Sequence, residues 1–99
     1  MTGEKMQEIC VGMVVKSKAG RDKGRYFVVY SMSGDGFVCL VDGDLRTLAK
    51  PKRKKIKHLR PMGVVLVSLF EREAGAPLND AHIRRALKDA GFAGKNEQA

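Results

Sequence analysis

Ninety-nine residues, 43% of them hydrophobic and 30% charged, suffice for one domain with a modest core and not for two. Nineteen Lys and Arg against eleven Asp and Glu give a net charge of +8, a balance that favours a polyanionic partner, either nucleic acid or an anionic membrane surface. No apolar run approaches the ~18 residues of a membrane span, so a spanning role is excluded and a soluble chain is expected.

In chain order, residues 1–8 read as a polar, flexible N-terminus, and folding is expected to begin at Ile9. Val11, Met13 and Val15 alternate with Gly12, Val14 and Lys16, which is strand periodicity, and residues 20–24 follow as a turn. Either Gly20 or Gly24 is expected to take positive φ there. Residues 26–32 form a second strand, with Tyr26, Val28, Tyr30 and Met32 on one face and Phe27 and Val29 on the other. Both faces are apolar, so both must be covered. The Asp-Gly of "SGDG", residues 33–36, predicts a tight hairpin leading to a third strand over residues 37–41.

The "DGD" at residues 42–44 turns the chain again, into a fourth strand expected to begin at residues 45–48 and run into the basic segment, and a short fifth at 56–59. Five short strands with tight turns argue for a small closed β-barrel, because closure removes exposed edges. Residues 64–73, "VVLVSLFERE", are read as a helix ending at Ala74, although their β-branched residues favour a strand. A last helix is predicted after Asn79 as N-cap, with Leu78 stapling onto Ile83. Its apolar positions are Ile83, Ala86, Leu87 and Ala90, and Gly91 stops it, while Arg84, Arg85 and Lys88 face solvent or a ligand. The expected organisation is a barrel over residues 9–62, a helical extension over 63–92 and a tail over 93–99.

The charge is unevenly spread. Residues 46–60, "RTLAKPKRKKIKHLR", hold Arg46, Lys50, Lys52, Arg53, Lys54, Lys55, Lys57 and Arg60 with no carboxylate, and the first loop adds Lys16, Lys18, Arg21, Lys23 and Arg25 against Asp22 alone. Thirteen of nineteen cations thus sit in two segments while ten of eleven acids lie elsewhere. A merely solubilising surface would mix both signs. A line of phosphates would relieve the repulsion and release condensed counterions. Pro51 bars a helix through the run and implies an extended segment that tracks a backbone without reading bases in a groove, which fits folded RNA. The run lacks the interleaved large apolar residues of an interfacial helix, so no membrane partner is expected.

Sharper chemistry is not supported. "GRDKG" has three residues between its glycines where a phosphate-binding P-loop needs four, followed by Lys and then Ser or Thr. Cys10 and Cys39 are expected to be reduced, partly buried thiols of a cytosolic protein, and with His58 and His82 they show no metal-ligand spacing. His58, among cations, is a candidate hydrogen-bonding partner for a phosphate. Ser17, Ser31, Ser33 and Ser68 lack a recognisable base and orienter. Tyr26, Phe27, Tyr30 and Phe37 are candidates to stack bases only where exposed.

"VGMVVKSKAGRDKGRYFVV" resembles a KOW motif: alternating apolar residues, a basic loop with an Asp-Lys-Gly turn, then a second apolar strand. "LVDGDLRTLAKPKRKKIKHLRP" is similar to the KOW-type ribosomal large-subunit proteins and their short bacterial RNA-binding relatives, and "LNDAHIRRALK" to the helix that ends such bacterial chains. The resemblance spans residues 11–90 and implies an SH3-like barrel with one or two packed helices, a cytoplasmic location, and contact with ribosomal RNA or the ribosome. It implies no catalysis, cofactor or metal. Gly24 matches the family's turn glycine, with Gly20 a second structural glycine; Lys23 and Arg25 match the flanking cations, and Lys52 to Lys55 with Lys57 and His58 the basic segment. A monomer binding RNA is the expected state. The apolar stretch 64–70 departs from the family, and an alternative follows from it: a KOW module of a transcription or translation factor that docks a protein.

Overall fold

A computed structural model describes residues 9–66, 69 and 77–92. It is mainly β. Five strands, β1 (Met13–Ser17), β2 (Tyr26–Met32), β3 (Phe37–Val41), β4 (Lys52–Lys55) and β5 (Leu59–Val65), form one sheet in the order β4-β3-β2-β1-β5. Every pairing is antiparallel. This is the order of an SH3-like barrel, the fold expected; among the described residues, though, β4 and β5 end the sheet without pairing with each other, so the closure of edges that was expected is not made. A 3-10 turn (Ile56–His58) joins β4 to β5, and one helix, α1 (Asp80–Asp89), follows.

Strand alternation divides the apolar residues into two layers. Ile9, Val15, Phe27, Val29, Val38, Leu40 and Leu59 fill one face, with Met13 and Ile56 packed against them. Val14, Val28 and Val41 point the other way, onto Ile83 and Leu87 of α1. Burying those two helix side chains contributes about 1.5–3 kcal/mol each. The two-faced reading of β2 therefore holds up to Val29. The pairing register then shifts between Val29 and Ser31, and Tyr30 within that irregularity and Met32 beyond it are exposed.

The helix begins and ends as its sequence predicts. Asn79 is the N-cap, its side chain accepting from the His82 backbone N–H at 2.9 Å, while His82 Nδ1 accepts from the Asn79 N–H at 3.3 Å. Gly91 takes φ +92° just past the C-cap. The helix is also tied to the sheet by polar contacts. Asp80 accepts from the Leu48 N–H at 2.9 Å, and Arg84 Nη1 donates to the Gly43 carbonyl at 2.6 Å.

Five expectations are corrected. Residues 45–48 are not a strand: the Asp42 carboxylate accepts from the Asp44 and Arg46 N–H groups, both at 2.9 Å, and holds this stretch as a turn. The fourth strand is instead the cationic Lys52–Lys55, paired with β3 from Phe37↔Lys55 to Leu40↔Lys52. Residues 56–58 are the 3-10 turn, and the fifth strand runs from Leu59 to Val65. That strand contains Val64 and Val65, where the segment's length favours a helix; residues 67, 68 and 70–74 of that helix reading lie outside the described residues. Finally, Val11 precedes β1 and is exposed, and Cys10 is exposed where partial burial was expected, while Cys39 is half-buried; both are free thiols.

Candidate nucleic-acid interface

The two basic segments, separate in sequence, are stitched together in space. β1 lies beside β5 with Lys16 opposite Arg60 and Ser17 opposite Leu59. The Lys18 N–H donates to the His58 carbonyl at 2.9 Å, and Lys54 Nζ donates to the Ala19 carbonyl at 2.7 Å. The first loop therefore rests on the cationic strand and on the turn that follows it.

The loop is fixed by its own geometry as well. Gly24 N–H donates to the Ser17 carbonyl and Arg25 N–H to the Asp22 carbonyl, each at 2.9 Å. Gly20 and Gly24 both have positive φ, +82° and +88°, a region that glycine enters without steric cost. At Gly20 a Cβ would stand 3.2 Å from Lys54 Nζ. Glycine there thus serves the turn and the approach of the buried lysine together.

A reciprocal pair of ion pairs ties this loop to the turn after β3. Arg25 Nη2 donates to Asp42 Oδ2 at 3.0 Å, and Arg46 Nη2 donates to Asp22 Oδ2 at 3.0 Å. Each loop supplies one arginine and one aspartate. The carboxylates are almost sealed, with side-chain exposures of 1% for Asp42 and 5% for Asp22. The Arg25 and Arg46 Nε atoms are buried with no hydrogen-bond partner, which offsets part of what each pair contributes.

These contacts sort the predicted cations. Arg25, Arg46 and Lys54 are engaged inside the fold. Lys18, Arg21, Lys23, Lys50, Arg53, Lys55, Lys57 and Arg60 are exposed, and Lys16, Lys52 and His58 half-buried. Arg21, Lys23, Arg25 and Arg46, with Asp22 and Leu45, line an open depression of about 490 Å³. Arg53 also pairs with Asp35 at 2.8 Å, both side chains being 53% exposed. Asp22, Asp42 and Asp35 are the residues that cation counting overlooks; the sequence signal was an acid in each otherwise basic or glycine-bearing turn, single at Asp22 and Asp35 and doubled by Asp44 at Asp42.

Of the aromatic candidates, Phe27 lies in the core and Tyr26 packs on Phe92 with ring centroids 5.0 Å apart. Lys16 Nζ lies 5.6 Å from the centre of the Tyr26 ring. Phe37 is half-buried beneath the Arg53 guanidinium, whose carbon is 3.9 Å from the ring centre. On the helix, Arg85 reaches Asp89 at 3.9 Å. Val64, Leu66 and Leu69, from the stretch offered as a docking surface, pack against the chain's own second core. Among the described residues no group of three or more His, Cys, Asp or Glu is placed to hold a metal ion, and no helix is long and apolar enough to cross a membrane.

The chain is similar to large ribosomal subunit protein eL14 of Staphylothermus marinus, with 29% identity over 87 residues, 88% of this chain and 84% of that protein. No protein-family model matches it.

Proposed function

We propose that the chain is a non-catalytic RNA-binding protein of the KOW type, a cytoplasmic monomer that contacts ribosomal RNA through the 16–25 loop and the 46–60 segment. The observation that carries this reading is the joining of the two basic segments by the Lys18–His58 and Lys54–Ala19 hydrogen bonds. They make one rigid cationic surface from sequence-distant parts. Similarity to a ribosomal large-subunit protein over most of both chains supports the same partner.

The mechanism is electrostatic and geometric. Lys18, Arg21, Lys23, Lys55, Lys57 and Arg60 present charge to phosphate oxygens, displacing counterions. Arg25, Arg46 and Lys54 act one step behind, holding the loops at a fixed separation. A platform ordered before binding avoids the entropy cost of ordering it afterwards. Shape and backbone spacing, more than base edges, set the preference for folded RNA.

The test is a salt series of binding to a structured ribosomal RNA fragment and to duplex DNA, with a Lys18, Lys23, Lys55, Lys57 to Ala variant alongside. Each lost phosphate contact should flatten the log–log slope by up to about one unit. RNA preferred over DNA, with a slope that flattens in the variant, supports the reading. Weak binding that the variant does not change would overturn it.

A further inference from the structure

On β3, Val38 and Leu40 enter the core, so Phe37 and Cys39 project from the opposite face. Lys55 stands opposite Phe37 and Arg53 opposite Cys39, placing four side chains on one outer surface. Arg53 brings its guanidinium carbon 3.9 Å from the Phe37 ring centre, and Lys55 Nζ is 5.8 Å from the same point. Asp35 fixes this stack from the preceding hairpin. One carboxylate oxygen accepts from Arg53 Nη2 at 2.8 Å, the other from the Phe37 N–H at 3.2 Å.

Beside the stack is an open cleft of about 510 Å³ lined by Asp35, Gly36, Phe37, Lys55, Ile56 and Lys57. Gly36 has φ +91° and nothing within 4 Å of where a Cβ would stand, so the cleft is open on that side. The surface combines an aromatic ring, a guanidinium plane, an aliphatic side chain and two exposed lysines. A phosphate alone needs only the cations. A flat aromatic group carrying phosphates on both sides uses all of them: stacking on ring or guanidinium is tolerant of base identity, and the lysines take the charge.

We propose that this cleft binds one unpaired nucleobase of RNA, stacked on the Phe37–Arg53 pair with its flanking phosphates at Lys55 and Lys57. The inference rests on the RNA-binding reading and adds to it: the protein selects loops, bulges or single strands over continuous duplex. Asp35 is the restraint that holds the guanidinium over the ring.

The probes are an RNA hairpin carrying 2-aminopurine in its loop and a blunt RNA duplex of equal nucleotide count. Wild type and Phe37→Tyr are expected to quench the 2-aminopurine and to prefer the hairpin. Phe37→Leu should weaken hairpin binding about ten-fold, leaving duplex binding and the salt slope unchanged because no charge is lost. Thermal unfolding of Phe37→Leu checks that it is folded, and Lys55, Lys57 to Ala reports the phosphate contacts separately. If folded Phe37→Leu binds the hairpin within about two-fold of wild type, or wild type binds duplex as tightly, the stacking site is refuted while RNA binding stands. If wild type binds neither RNA at low salt, both readings fall.

Discussion

Removing the Asp42 carboxylate tests whether the crossed ion pairs hold the loops. That carboxylate is 1% exposed and makes three contacts: Arg25 Nη2 at 3.0 Å and the Asp44 and Arg46 N–H groups at 2.9 Å. In Asp42→Ala the Arg25 guanidinium, 13% exposed, keeps only Asp44 at 4.0 Å, a residue that is itself 71% exposed. Breaking a buried pair from one side costs about 3–5 kcal/mol. Residual access of Arg25 to water and its unpartnered Nε favour the low end, about 3 kcal/mol, or roughly 12–24 °C in Tm for a domain of this size. Asp35→Ala is the comparison: its pair with Arg53 is shorter, 2.8 Å, but 53% exposed on both sides, and should cost about 0–1 kcal/mol. Thermal and urea unfolding followed by circular dichroism measures both. Adding Arg25→Leu to Asp42→Ala should recover part of the loss, since the stranded charge is gone, though the Asp44 and Arg46 amides still lack their acceptor. Equal losses for Asp42→Ala and Asp35→Ala would refute the argument that burial, not distance, sets the strength of these pairs.

Gly43→Ala is expected to destabilise by at least about 2 kcal/mol, because φ is +78° and a Cβ would collide with the Asp80 carbonyl oxygen and Arg84 Cγ. Gly24→Ala, at φ +88° with open space around it, should cost about 1 kcal/mol; urea midpoints separate the two, and equal values would show that the helix does not press on Gly43. Lys54→Met loses the bond to Ala19 and should lower Tm by several degrees, yet leave the RNA salt slope at its wild-type value, as read by the same salt series. A flattened slope would place Lys54 on the RNA. Asn79→Ala removes the N-cap and should cost about 1 kcal/mol, with amide exchange accelerated first at the start of α1; unchanged exchange there would count against the cap.

What could be read from the sequence was whatever announces itself locally. β1, β2 and β3 show alternation or two-sided apolarity between glycine turns, and α1 carries Asn79, an i, i+3, i+4 apolar stripe and Gly91. β4 announces itself only in part: Pro51 implies an extended segment, but "KRKK" has no apolar alternation to fix its bounds, and it is a strand because β3 supplies its hydrogen-bond partners, a tertiary effect that outweighs propensity. The 45–48 stretch misleads for the converse reason, since its two leucines suggest a strand while Asp42 captures the Arg46 N–H and Asp80 the Leu48 N–H. For residues 64 and 65 the β-branched valines carried the right signal, outweighed by a helical reading of the segment around them. The cationic segments were legible as a charge imbalance. Their division into internal and outward-facing members was not, because Asp22–Arg46 and Arg25–Asp42 join residues 24 and 17 positions apart.

β4 ends the sheet order and, among the described residues, pairs with β3 alone. An edge of this kind offers unpaired backbone groups to any similar strand and is a route to aggregation. Here Arg53, paired with Asp35, and Lys55 stand exposed on one face of that strand, so a second copy approaching edge to edge sets one cationic strand against another before it can form a ladder. The cations proposed to hold RNA would then also keep unliganded copies apart, and chain made in excess of its RNA would stay dispersed. Replacing Arg53 and Lys55 with neutral β-formers would remove this protection, with concentration-dependent light scattering as the readout and unchanged scattering as the result against it.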